Sequence, residues 1–301
     1  MSNRMVSWML FIILCLIWGS SFLLMLIGLE HLNAWQVAAL RLFAAGLVLL
    51  PFAFRVAKRI PKDKIGYIIL SGFLGSFFPA FLFCLAETRL DSSFAGTLNS
   101  LTPVFVIIVG ASFFKLKVNA RQVAGILISF SGSIFLFMAK GGQTGDLMYI
   151  GFIVLATFFY GLNVNMVGKR LTQVASFDIA VMAFSFLSIP SLIILLAFQT
   201  QDINMAQSGV LWSVLASALL GVLGTTLASI LFYALLKRAG GVFASTVTYG
   251  IPFVAIGWGL VNNEKITVGV VGSLLLILLG IVITNLKEKP NSKLMGFFRK
   301  N

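Results

Sequence analysis

The chain has 301 residues, of which 59% are hydrophobic and only 10% charged, and its mean hydropathy is +1.03. A soluble domain carries about 25% charged residues, and no single soluble core absorbs this much apolar surface, so the composition excludes a soluble globular protein and makes a bilayer the solvent. The net charge of +13 would point to nucleic acid on a soluble protein, but here the basic residues fall in short loops between apolar runs, so no nucleic-acid partner is expected.

The N-terminus opens like a secretory signal, with Arg4 followed by "MVSWMLFIILCLI". The apolar run continues to Leu29, too long for a signal core, and no A-x-A-like cleavage site follows, so it reads as a retained first helix. A helix needs about 20 apolar residues to cross a bilayer. On that measure ten spans are expected, near 6–28, 35–54, 65–86, 94–114, 122–139, 147–168, 177–198, 209–235, 242–261 and 267–286. The fold class is therefore all-α integral membrane, and no connection is long enough for a soluble domain.

Lysine and arginine orient the chain. All of the 22 but Arg41, Arg89, Lys140 and Lys265 fall on one side of a ten-span topology, whereas Glu30, Glu87, Asp91, Asp146, Asp202 and Glu264 fall on the other. This bias predicts a multi-pass plasma (inner) membrane protein with both termini in the cytoplasm. The basic tail, 287–301, reads as an ordinary positive-inside anchor.

Within span 4, "TLNSLTPVFVIIVG" (97–110) gathers Thr97, Asn99, Ser100, Thr102 and Pro103 in seven residues, and 246–259 reads "TVTYGIPFVAIGWG". At this offset of 149, Leu70–Gly110 aligns without gaps to Leu219–Gly259, with 13 identities in 41 pairs. They include Gly72/Gly221, Gly75/Gly224, Phe83/Phe232, Arg89/Arg238 and Pro103/Pro252, which shared oiliness does not explain. The chain is an internal repeat: a first five-span unit over 1–140, a linker at 141–146, and a second over 147–286. Five is odd, so the second unit enters the membrane from the opposite face. Inverted repeats are a transporter architecture, with the substrate site near the midplane at the repeat interface. Pro103 and Pro252 remove backbone donors and should kink spans 4 and 9, marking them as candidate gates beside Asn99, Thr102, Thr248 and Tyr249. Polar residues with tolerated prolines also occur as plain helix-packing devices.

"CLIWGSSFLLMLIGL" (15–29), "QVAALRLFAAGLVLLP" (36–51) and "AETRLDSSFAGTLNSLTPVFVIIVGASFF" (86–114) resemble the EamA-type domain of the drug/metabolite transporter superfamily, and 227–283 repeats the pattern. The resemblance implies a ten-helix carrier of small organic molecules, often an exporter of amino acids or metabolites, around a central cavity. Two departures stand out. Phe114-Lys115 occupies a place where the family often has an acid after the fourth helix, though the second copy keeps Glu264; and Tyr160 stands where Trp18 does.

Trp18 and Ser21 share one helix face at i and i+3, as do their counterparts Tyr160 and Asn163, giving two aromatic–polar faces suited either to line a cavity or to pack helices. Arg41 lies within span 2, about 10 Å from its outer end at 1.5 Å per residue. It suits either a structural ion pair with Glu30, Glu87 or Asp91, the favoured reading, or a place in the substrate cavity as a clamp for an anionic group. Glu87, near the outer end of span 3, is expected to be interfacial rather than a proton carrier, and His31, the only histidine, to lie in a loop. Cys15 and Cys84 sit in apolar runs as packing residues. The small residues Gly125, Ser129, Ser133, and Gly272, Leu276, Gly280 are expected to seal spans 5 and 10 together, a homodimer face being the alternative.

No cofactor or metal site and no catalytic set is visible, so an enzyme is not expected. The leading expectation is a carrier moving small, partly apolar organic metabolites by alternating access, with export as its direction. An ion-coupled five-plus-five symporter is the nearer alternative; an integral-membrane enzyme or a non-transporting scaffold is the more distant one.

Overall fold

The computed structural model describes residues 3–90, 92–139, 146–197, 207–261 and 267–286. Asp91, Lys140, Asp202, Glu264, Lys265, most of the 141–146 linker and the 287–301 tail lie outside the described residues. Ten helices are long and apolar enough to cross a membrane: Arg4–Leu29, Ala34–Ala57, Lys62–Ala86, Phe94–Phe114, Ala120–Ala139, Leu147–Arg170, Ser176–Ala197, Val210–Ala239, Gly241–Trp258 and Val268–Asn285. They are called spans 1 to 10 below. No strand occurs among the described residues.

Several helix starts are fixed by local sequence. Asn33 and Gln36 form a reciprocal capping box at the start of span 2, with both bonds at 2.9 Å. Asp146 accepts from the Met148 amide at the start of span 6, and Thr267 caps span 10.

The neighbours of each span reveal the symmetry. Span 3 packs on span 6 as span 8 packs on span 1, and span 4 packs on span 6 as span 9 packs on span 1. Span 2 lies along span 7, and span 5 along span 10. Exchanging the first five spans for the last five leaves this contact pattern unchanged, as a pseudo-two-fold axis requires.

Apolar side chains gain little by leaving lipid, so close backbone approach carries much of the cohesion. A Cβ on Gly46 would strike the Phe184 carbonyl of span 7, and one on Gly221 the Arg41 carbonyl of span 2. Between spans 5 and 10, Gly125 meets Gly280 and Thr284, and the Ser129 hydroxyl donates to the Ile277 carbonyl at 3.0 Å. The small-residue stripe thus joins the two halves of one chain. Its span 10 face differs from the expected one: Gly272 is exposed with open space around it, while Ser273, Ile277, Gly280 and Thr284 are buried. The expected spacing of four drifts off a helix with 3.6 residues per turn, and the face follows the helix.

Spans 4 and 9 are interrupted rather than merely bent. Span 4 consists of a helix ending at Asn99, a turn at 100–101, and a helix Thr102–Phe114 with Pro103 in its first turn. Span 9 runs Gly241–Ser245, passes through a 3-10 turn Thr246–Tyr249, and resumes at Ile251 with Pro252 next. Each proline begins a new helix, where its missing N–H costs nothing. The hydroxyls around the breaks satisfy loosened carbonyls: Ser100 bonds Thr97 O, Ser245 bonds Val242 O and Thr248 bonds Ser245 O.

A second irregularity left no signal in hydropathy. Spans 3 and 8 each contain a π-helical stretch, Phe73–Phe77 and Leu220–Leu227, at corresponding places in the two copies. Such bulges loosen the backbone ladder and frequently sit at functional sites. The matched glycines Gly75 and Gly224 lie inside them.

Candidate substrate cavity

The interrupted and bulged segments surround one central cavity, containing about 920 Å³ free of protein atoms, open mouth included. Its wall comes from spans 1, 2, 3, 4, 6, 8 and 9, while spans 5, 7 and 10 stand behind. Of the residues singled out in sequence, Trp18, Ser21, Arg41, Asn99, Thr102, Tyr160, Asn163 and Thr248 all lie on this wall.

Tyr249 does not. It is fully buried, and its hydroxyl donates to the Ile126 carbonyl of span 5 at 3.0 Å. The 3-10 turn rotates consecutive residues by about 120°, so Thr248 faces the cavity and Tyr249 faces away. Pro103 and Pro252 sit in the wall-forming breaks without themselves lining the cavity.

The wall is largely symmetric. The Trp18 ring packs 5.3 Å from Phe232, and the Tyr160 ring stacks 6.3 Å from Phe83, its repeat-related counterpart. Gly224 fits against Ser21 as Gly75 fits against Asn163, so each bulge presses on the polar residue of the facing aromatic–polar pair. The Trp18 indole N–H donates to the Gly224 carbonyl at 3.1 Å, filling an acceptor in the bulge and leaving the ring face for the cavity. Ser21 is turned back to its own helix, bonding Ile17 O at 2.8 Å.

Two polar groups break the symmetry. On one side, Arg41 Nε donates to Thr225 Oγ1 at 2.8 Å. Among the described residues no carboxylate lies within 4.0 Å of the Arg41 guanidinium. The expected ion pair with Glu30 or Glu87 is therefore corrected, and Asp91 lies outside the described residues. Thr225 holds one edge of the guanidinium, and the group forms part of the wall. On the other side, Ser71 bonds Asn163 Oδ1 at 2.7 Å and lies 3.1 Å from the Tyr233 hydroxyl.

Glu87 lies just past the end of span 3, and its side chain is enclosed by protein at 7% exposed. His31 lies in the expected turn. Cys15 and Cys84 are buried and free, Cys84 giving its S–H to Met25 Sδ. Among the described residues no cluster of three or more His, Cys, Asp or Glu could hold a metal ion.

Sequence reasoning missed Ser76, Thr225, Ser229, Phe232, Tyr233 and Ser245 on the wall. The repeat alignment held a signal for Thr225 and Phe232, which pair with Ser76 and Phe83. It also missed Asn165, whose amide donates to Val106 O and Gly161 O and ties span 6 to the second half of span 4.

Ten apolar helices in two interlocked copies around a polar-lined central hollow define a multi-pass membrane transporter of the five-plus-five class. The model of the EamA-like transporter family matches residues 6–138 and again 147–286, so the chain belongs to that family as two tandem domains. A protein of Archaeoglobus fulgidus named an uncharacterized transporter is 25% identical over 93% of this chain and 98% of its own. A Bacillus subtilis protein named uncharacterized transporter YdfC is 26% identical over 92% of this chain and 90% of its own. A Salmonella typhimurium protein named a probable amino-acid metabolite efflux pump is 29% identical over 54% of this chain and 53% of its own. A crystal structure covering 100% of both chains superposes with a TM-score of 0.71 at 16% identity, which speaks to the fold alone.

Proposed function

We propose that this protein exports small organic metabolites, amino-acid-like or amphipathic, by alternating access across the plasma (inner) membrane, with both termini in the cytoplasm. The observation that carries the reading is the shape of the wall: aromatic faces from both copies around a few polar groups, one of them the half-held guanidinium of Arg41. Such a surface accepts a compound with an apolar body and a charged end. The similarity to a named amino-acid metabolite efflux pump over half the chain points the same way.

The gates are the breaks at Pro103 and Pro252, aided by the bulges around Gly75 and Gly224. Each break is already locally satisfied, so its two helical halves move relative to one another without exposing orphan backbone groups. Inverted copies supply two states of similar energy, as switching requires. The two units divide at the 141–146 linker, and the 287–301 tail anchors to the cytoplasmic face.

An untargeted comparison of metabolites inside and outside cells, with and without overexpression, tests the reading. The expected outcome is lowered internal and raised external levels of a small set of carboxylate-bearing, partly apolar compounds. An unchanged metabolite distribution, with the protein present and folded in the membrane, counts against it.

A further inference from the structure

Glu87 stands at the C-terminal end of the helix Phe78–Ala86, where backbone carbonyls already present partial negative charge and disfavour a carboxylate. It is 7% exposed. Ser92 Oγ donates to Oε2 at 3.1 Å, but Oε1 is buried with no hydrogen-bond partner among the described residues. Its repeat counterpart is Leu236, 3% exposed, so packing at this point of the fold accepts an apolar side chain and asks for no acid. An ionised carboxylate left there without an ion pair is far more costly than a neutral carboxyl with one idle oxygen.

Among the described residues, few groups act on Glu87. Span 2 contributes Arg41, which reaches it through space, and the Ser92–Asn99 helix contributes Ser92. Arg41 and Tyr160 are cavity wall residues. Glu87 is thus a buried acid whose charge is felt by Arg41, the one cationic side chain lining the cavity among the described residues.

We propose that Glu87 is a proton-binding site whose charge state sets how strongly Arg41 attracts an anionic group into the cavity. With a proton on Glu87, the positive charge of Arg41 is uncompensated and favours a carboxylate. When the proton leaves to water, the new negative charge on Glu87 cancels part of that field. By reciprocity, an anion bound at Arg41 raises the proton affinity of Glu87, so the two load together. The proton site stands by itself; its linkage to transport rests on the carrier reading above.

Burial pushes the Glu87 carboxyl up to about 8 from an ordinary 4.5. The folded chain then holds a proton that the unfolded chain releases, so stability falls as pH rises from about 4.5 to about 8 and levels off above.

Infrared titration of the purified protein in lipid vesicles tests this without a substrate. The wild type is expected to show a protonated-carboxyl band at pH 7 that bleaches with a midpoint near 8. The band is expected to be absent in Glu87→Gln, to keep its midpoint in Arg41→Lys, and to titrate at higher pH in Arg41→Gln. Should Arg41→Gln fail to fold, thermal unfolding of wild type against Glu87→Gln between pH 5 and 9 decides instead, the pH slope being lost in the variant. No band at pH 7, or a midpoint indifferent to Arg41→Gln, overturns the proposal. In a second arm, calorimetry with L-amino acids and their amides is expected to show proton uptake with the carboxylate forms only, and affinity about tenfold weaker above the midpoint than below it. Binding without proton uptake breaks the linkage. A titrating band with no binding of any of these probes leaves the proton site in place and removes the amino-acid reading of the cavity.

Discussion

The two halves of the cavity wall are alike in how they pack and unlike in what they offer a ligand. Trp18 against Phe232 and Tyr160 against Phe83 are related by the repeat, as are the two bulges and the two proline-headed breaks. By contrast, Arg41 with Thr225 has no counterpart in span 7, and the Ser71–Asn163–Tyr233 cluster has none on the Trp18 side. The features that let helices approach and bend are duplicated, as the proposed alternating access asks of both copies. On the proposed reading the unduplicated groups are the ones that hold the substrate, because a bound molecule has no two-fold symmetry and must be held one way round.

The largest expected effect comes from breaking the packing on one side only. Gly72 and Gly221 are repeat partners. A Cβ on Gly221 meets the fixed Arg41 carbonyl, whereas one on Gly72 meets the flexible end of Leu187 at 3.0 Å and Ala183 at 3.2 Å. Gly221→Ala should therefore destabilise by about 1–3 kcal/mol through overpacking, and Gly72→Ala by much less. Size-exclusion of detergent-solubilised protein over a temperature series reads the difference, and equal loss for both would mean that the copies are packed more alike than the contacts indicate.

Next comes the polar asymmetry. Arg41→Gln should lower efflux of a carboxylate-bearing substrate at least tenfold, corresponding to loss of one charge-assisted bond of about 1.5–3 kcal/mol. Thr225→Val, which leaves the charge but removes its tether, should cost only a few-fold. If the two variants were equally impaired, the tether rather than the charge would be the recognised feature.

The smallest effect sharpens the comparison between repeat-related polar residues. Asn163→Ala removes the partner of Ser71 and should cost about 1 kcal/mol of stability, with a matching fall in transport. Ser21→Ala removes a hydroxyl that serves only its own helix, and should be close to neutral. Thermal midpoints of the two variants, measured side by side, check the ranking.

Composition and hydropathy alone marked out a multi-pass membrane chain, and the ten expected spans match ten helices long and apolar enough to cross a bilayer. The matched glycines, prolines and arginines, at a fixed offset, settled that it is built twice over. They also pointed to the wall residues around the breaks, because a polar group in an oily helix needs a partner or a cavity. What sequence could not decide was direction around each helix and distance between helices. It grouped Tyr249 with Thr248, yet a tight turn aims the tyrosine at span 5. It gave Arg41 an acid, yet Thr225, 184 residues away, takes its Nε while Glu87 is buried short of contact. The stripe Gly272-Leu276-Gly280 was read one step off the face that span 10 buries. The π-helical bulges, too, left no hydropathy signal, and it is only in the packed bundle that Gly75 and Gly224 let Asn163 and Ser21 close on them. Hydropathy depends on one residue at a time and is written in the chain; side-chain partnership depends on which backbone atoms come within a few ångströms, and only the packed bundle fixes that.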